Sequence, residues 1–116
     1  MTNKELETIM GDMFTYCADL IMKKGREYAE DETDRLEHFK AAAGLMGTTP
    51  RQALMGMFSK HIVSVSDMCM SGRHYDTERW REKLSDSINY LILLAAIIAE
   101  EEEEHATDRN TDPKRD

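Results

Sequence analysis

From Ile88 to Ala99 every residue except Asn89 and Tyr90 is apolar. The run is too short to cross a bilayer, which takes about 20 residues, and too long for a typical strand of about 5–6. It reads as a helix that is apolar on every side, and such a helix has to be covered on several faces. At 116 residues and 13.4 kDa the chain is one domain, whose folded surface should be roughly 6,500 Å² against roughly 19,400 Å² unfolded. A chain of this size has three other helices to offer as cover. The rest of the apolar surface is therefore expected to be closed by a second subunit, making the protein a homo-oligomer.

The remaining sequence is also helical in its spacing. Leu6, Ile9, Met10, Met13, Phe14, Cys17, Leu20 and Ile21 recur at steps of three and four along a first helix, which Gly25 is expected to interrupt. Tyr28 to Asp34 is an acidic connector. A short second helix follows from Leu36, Phe39, Ala43 and Met46, with Thr33 or Asp34 as its cap and Gly47 as its end. Thr49-Pro50-Arg51-Gln52 then carries three start signals together: an N-cap hydroxyl, proline at the first helical position, and glutamine at the reciprocal capping position. A third helix takes Leu54, Met57, Phe58, His61, Ile62, Val65, Met68 and Cys69 on one stripe and stops at Ser71-Gly72. The fourth is capped by Asp76 or Thr77, begins near Glu78 with Trp80 and Leu84 as inward anchors, and runs to about Glu104. Five carboxylates from Glu100 to Glu104 oppose the helix dipole and predict fraying there. The fold class is all-α, a four-helix bundle-like domain over residues 1–105 with a disordered tail over 106–116.

Composition removes several functions. With 6 Gly and 2 Pro there is too little turn chemistry for a sandwich of many short strands. A net charge of −8 excludes a general nucleic-acid binder, which needs a surplus of Lys and Arg. No apolar run spans a membrane, and Met1-Thr2-Asn3-Lys4-Glu5 opens no signal-peptide core, so a cytoplasmic protein is expected. Cys17 and Cys69 form no CxxC pair and are expected as reduced core thiols.

The candidate site residues fall into three groups. Glu27 with Glu30, and Asp34 with Glu37, have the helical spacing of carboxylate pairs that suit Mg²⁺, although a solvated acidic connector has the same composition. Glu82, Asp86 and Asn89 lie on one line of the fourth helix. Asn89 sits inside the apolar run, where an unmet amide costs about 1–3 kcal/mol; it reads a ligand or a metal-bound water, or it fixes helix register. The third group is basic: Lys23, Lys24 and Arg26 end the first helix, while Arg73, His74, Arg79, Arg81 and Lys83 surround the start of the fourth, with Tyr75 and Trp80 interleaved. Cations beside an aromatic face suit a phosphate and a stacked base; the bland alternative has Trp80 in the core and the arginines paired with acids. His61, on an apolar stripe, is expected to be a structural histidine, and Lys60, Ser64 and Asp67 a solvated flank.

Taken in order, Lys24-Gly25-Arg26-Glu27-Tyr28, Leu36-Glu37-His38-Phe39-Lys40-Ala41-Ala42, Thr49-Pro50, Lys60-His61 and Lys83-Leu84-Ser85-Asp86-Ser87-Ile88-Asn89-Tyr90 resemble the small phage-encoded nucleotide-modification-associated proteins. The resemblance covers about residues 20–99. More distantly the layout is similar to the MazG-like all-α nucleoside triphosphate pyrophosphatases, oligomers that hold Mg²⁺ on an E-x-x-E and an E-x-x-D pair. Here Asp86 matches the aspartate, but Lys83 stands three positions before it, with Glu82 one residue off. The resemblance implies a small phosphorylated ligand, such as a nucleotide, with Lys24, Arg26, Lys60 and Lys83 on phosphate, Tyr28 or Trp80 stacking, and Asp86 and Asn89 on base or sugar. It implies a role in nucleotide metabolism or modification, or in sequestering a signalling nucleotide. Two alternatives remain open: a Mg²⁺-dependent pyrophosphatase with Glu27, Glu30, Glu82 and Asp86 on the metal, and a helical protein–protein interaction module without a ligand.

Overall fold

The structure, a computed structural model, describes residues 1–28 and 33–111, excluding the side chains of Tyr28 and of residues 109–111. The described residues form helices α1 (Asn3–Tyr28), α2 (Glu37–Met46), α3 (Pro50–Met70) and α4 (Thr77–Thr111), with no strand among them. None of these helices is long and apolar enough to cross a membrane.

Helix boundaries follow local side-chain chemistry. At α1, the Thr2 hydroxyl accepts from the Glu5 amide at 3.1 Å while the Thr2 amide donates to the Glu5 carboxylate at 2.7 Å. This reciprocal capping pair satisfies two amides that lack helical partners. The Thr49 and Gln52 pair does the same at α3, behind Pro50. Before α2, Asp34 Oδ1 accepts from the Leu36 amide at 2.9 Å, and Gly47 then turns left-handed at φ 65° to end the helix. Asp76 Oδ1 caps α4 by accepting from the Arg79 amide at 2.8 Å.

Packing runs α1 on α4, α4 on α3 and α3 on α2. The core lies on the α2–α3–α4 side, where Leu36, Phe39, Leu54, Phe58 and Ile97 are buried and Met57, Tyr90, Leu93 and Leu94 close around them. Burial of each large apolar side chain there contributes about 1.5–3 kcal/mol. Asn89 and Ser85 are buried with them on α4. By contrast, α1 keeps only half of its apolar stripe covered: Cys17 is buried and Met13, Leu20 and Ile21 are partly so, but Leu6, Ile9, Met10 and Phe14 are about half exposed.

Three expectations need revision. Gly25 does not interrupt α1, which continues to Tyr28. The glycine is buried because Arg35 passes over it: a Cβ there would stand 2.7 Å from Arg35 Nε. Cys69 is exposed and only Cys17 lies in the interior: Cys69, like Ile62 seven positions before it, stands on the outer edge of the α3 stripe, while Met68 beside it is buried; neither cysteine forms a disulfide. Lastly, α4 does not end near Glu104 but extends to Thr111. Lys40 bridges Asp34 and Glu100, and Arg51 pairs with Glu101, so two of the five carboxylates are neutralised by α2 and α3. These pairs draw the Asp34 and Glu101 carboxyls below their ordinary range. Residues 112–116 lie outside the described residues.

The two α1 glycines separate propensity from packing. Gly11 has no atom within 4 Å of a built Cβ. Gly11→Ala should therefore gain about 0.5–1 kcal/mol from helix propensity. Gly25→Ala should gain less than that, because its Cβ has to push the flexible Arg35 side chain off the helix. Urea unfolding of both variants measures the contrast; equal stabilisation would contradict the Arg35 packing.

Candidate functional site

The packing that buries one face of α4 also opens a cleft beside it. Residues Asp86, Asn89, Tyr90 and Leu93 line one wall, Ile21 and Lys24 of α1 the second, and Arg35, His38, Phe39 and Met57 the third. The enclosed space is about 370 Å³, within the ordinary range for small-molecule sites of about 300–1,000 Å³. Its floor is apolar, and its rim carries three side chains able to bear positive charge: Lys24, Arg35 and His38.

Each group is held by a specific contact. Lys24 Nζ stands 3.4 Å from Asp86 Oδ1, and His61 Nδ1 lies 3.9 Å from Asp86 Oδ2, so one carboxylate sits between a lysine and a histidine. Arg35 Nη2 donates weakly to the Ile21 carbonyl at 3.5 Å, which sets the guanidinium against the last turns of α1. The Tyr90 ring is stacked on Phe58, with centroids 5.4 Å apart and planes 9° apart, and His61 leans on it at 4.9 Å. Asn89 is only 7% exposed, and its Oδ1 has no hydrogen-bond partner among the described residues. A buried carbonyl in that state forfeits about 1–3 kcal/mol until a donor reaches it.

This environment acts on the His61 imidazole. Burial lowers its pKa from the ordinary value of 6.5; Asp86 pulls the other way, and Lys60, Lys83 and Lys24 add to the lowering. The half-buried imidazole is therefore neutral at pH 7.

Of the residues singled out in the sequence, Lys24, Asp86 and Asn89 line the cleft together. Lys60 and Lys83 do not line it, although both stand close enough to act on His61. Trp80 is elsewhere: it packs edge-on against Tyr75 at 5.8 Å and lines a groove between α1 and α4. Arg26, Glu27 and Glu82 are exposed and do not line the cleft. Glu30 and the side chain of Tyr28 lie outside the described residues. Among the described residues no three of His, Cys, Asp and Glu are grouped so as to hold a metal ion. Arg35, His38 and Tyr90 were not singled out by spacing, since Arg35 and His38 belong to no cluster and Tyr90 reads as part of an apolar run. A weak signal did exist for Tyr90: with Asn89 it is one of the two interruptions of that run. No protein-family model, curated protein or solved structure matches this chain.

The depressed His61 pKa predicts a direction for stability. Between its ordinary 6.5 and its lower folded value, the unfolded chain binds the extra proton, so stability falls as pH drops through that window and levels off below it. His61→Gln should remove this part of the slope in urea unfolding at a series of pH values. Parallel profiles for both proteins would contradict the assignment.

Proposed function

We propose that this cleft binds a small phosphorylated ligand carrying a ring with a hydrogen-bond donor on its edge, of which a nucleotide is the natural example. The observation that carries the proposal is the buried Asn89 Oδ1, without a hydrogen-bond partner among the described residues, in a cleft whose rim holds Lys24 and Arg35. A ring amine or N–H seated on Asn89 would satisfy the carbonyl. Phe39, Tyr90 and Leu93 offer apolar surface for the faces of the ring, and Lys24 and Arg35 would neutralise phosphate at the mouth. Asp86 holds Lys24 in place between ligands. The field of Lys60 and Lys83 favours an anion nearby although neither lines the cleft.

The resemblance in residues 20–99 supports the same ligand class, in nucleotide metabolism, modification or sequestration, with a homo-oligomer as the working unit. Metal-dependent hydrolysis has less support, because Glu27 and Glu82 do not line the cleft that holds Asp86.

Calorimetric titration with adenosine 5′-monophosphate, adenosine and inorganic phosphate tests the proposal. The nucleotide should bind more tightly than either part alone. Lys24→Ala should weaken it about 5–10-fold, consistent with one charge-assisted contact. Asn89→Leu should weaken it by about 10-fold or more while the unliganded protein gains about 1 kcal/mol, because the unmet carbonyl is gone. Equal affinity for wild type and Asn89→Leu would overturn the proposal. Release of pyrophosphate from nucleoside triphosphates with Mg²⁺ would assign the hydrolytic reading instead.

A further inference from the structure

The face of α4 opposite the cleft carries a second pattern. Leu84, Ile88, Leu91, Ala95 and Ile98 follow at steps of four, three, four and three, which is the seam of a heptad repeat. Yet Leu84, Leu91 and Ile98 are 36%, 53% and 40% exposed. On α1, Leu6, Ile9, Met13, Tyr16 and Leu20 repeat the same spacing with three first. The two seams border a groove of about 850 Å³ whose walls include Ile9, Met13, Trp80, Leu84, Ile88 and Leu91. Each seam is apolar at knob spacing, and neither is closed by the other.

We infer that this groove is the interface through which two copies of the chain pair, α1 and α4 of each forming an intermolecular four-helix bundle about a two-fold axis. The inference rests on the self-association taken above and adds the surface that performs it. Area supports a second copy as the occupant. The chain exposes 8973 Å², whereas a compact chain of 13.4 kDa exposes roughly 6,500 Å². The protruding end of α4 supplies part of the excess of roughly 2,500 Å², and an obligate homodimer hides about 1,000–2,500 Å² per copy. Charge points the same way. The groove carries Asp12 and Asp19 on α1 and Arg81 on α4, the last resting 5.2 Å over the Tyr16 ring. A two-fold axis passing between the α1 acids and Arg81 would set the acids of one copy against the base of the other, the reciprocal contact that an isologous interface needs. The cleft faces α2 and α3, so pairing leaves it open.

Light scattering on the eluting full chain at tens of micromolar tests the interface, with far-ultraviolet circular dichroism confirming the fold of each variant. Wild type should have twice the 13.4 kDa chain mass. Ile9→Glu and Leu91→Glu each place a charge on a half-exposed seam position and should elute as folded monomers. Leu45→Glu alters an apolar residue that is 91% exposed and outside both seams, so it should remain a dimer. A wild-type dimer indifferent to Ile9→Glu and Leu91→Glu overturns this surface while leaving self-association standing. A wild-type monomer overturns both.

Discussion

The contact between α3 and α4, with Leu54 and Phe58 against Tyr90, Leu93, Leu94 and Ile97, fixes the rotation of α4 about its own axis, and the other features follow from that rotation. Once Ile97 and Tyr90 face α3, Asp86, Asn89 and Leu93 must line the adjoining cleft. Leu84, Leu91 and Ile98 must then point away from the core and remain exposed. The apolar run that seems excessive for so small a chain is thus divided between two tasks. One side builds the core and the cleft floor, and the other forms a seam that the monomer leaves open.

Two buried polar side chains on α4 show how differently such groups can be accommodated. Ser85 is fully buried and has its hydroxyl 3.9 Å from Met13 Sδ, a weak contact that joins α4 to α1. Asn89, one turn further on, has no partner for its carbonyl among the described residues. Core polar groups are ordinarily satisfied, because in a low-dielectric interior nothing replaces the lost water. An acceptor left unmet at the wall of a cleft rimmed by cations is where stability and ligand recognition make opposing demands. The neighbouring ion pair is also a weak one: Lys24 is 45% exposed and Asp86 20%, so solvent screens their attraction.

What is legible in the sequence is mostly local. Thr49, Pro50 and Gln52 mark the start of α3, and Gly47 marks the end of α2, because capping and left-handed turns depend on residues within one turn of each other. Periodicity identifies the apolar stripes but not what covers them, which is why α1 reads as a core helix although half of its stripe is exposed. Gly25 reads as a breaker, whereas its role is set by Arg35, ten positions on and brought near by the turn before α2. The same limit applies to the cleft. Lys24, Asp86 and Asn89 are recognisable as unusual residues in their helices, but Arg35 and His38 become neighbours of Lys24 only when the chain folds back. A run of glutamates signals fraying until Lys40 and Arg51, from two other helices, are placed beside it.

The most direct measurement of ligand recognition is the side-chain amide resonance of Asn89, followed by heteronuclear NMR as adenosine 5′-monophosphate is added. If its carbonyl receives a donor from the ligand, the Asn89 amide pair should shift progressively, together with the backbone amides of Lys24, Arg35 and His38. Saturating shifts confined to the α1–α4 groove around Trp80, or an Asn89 signal unmoved at saturation, would contradict it.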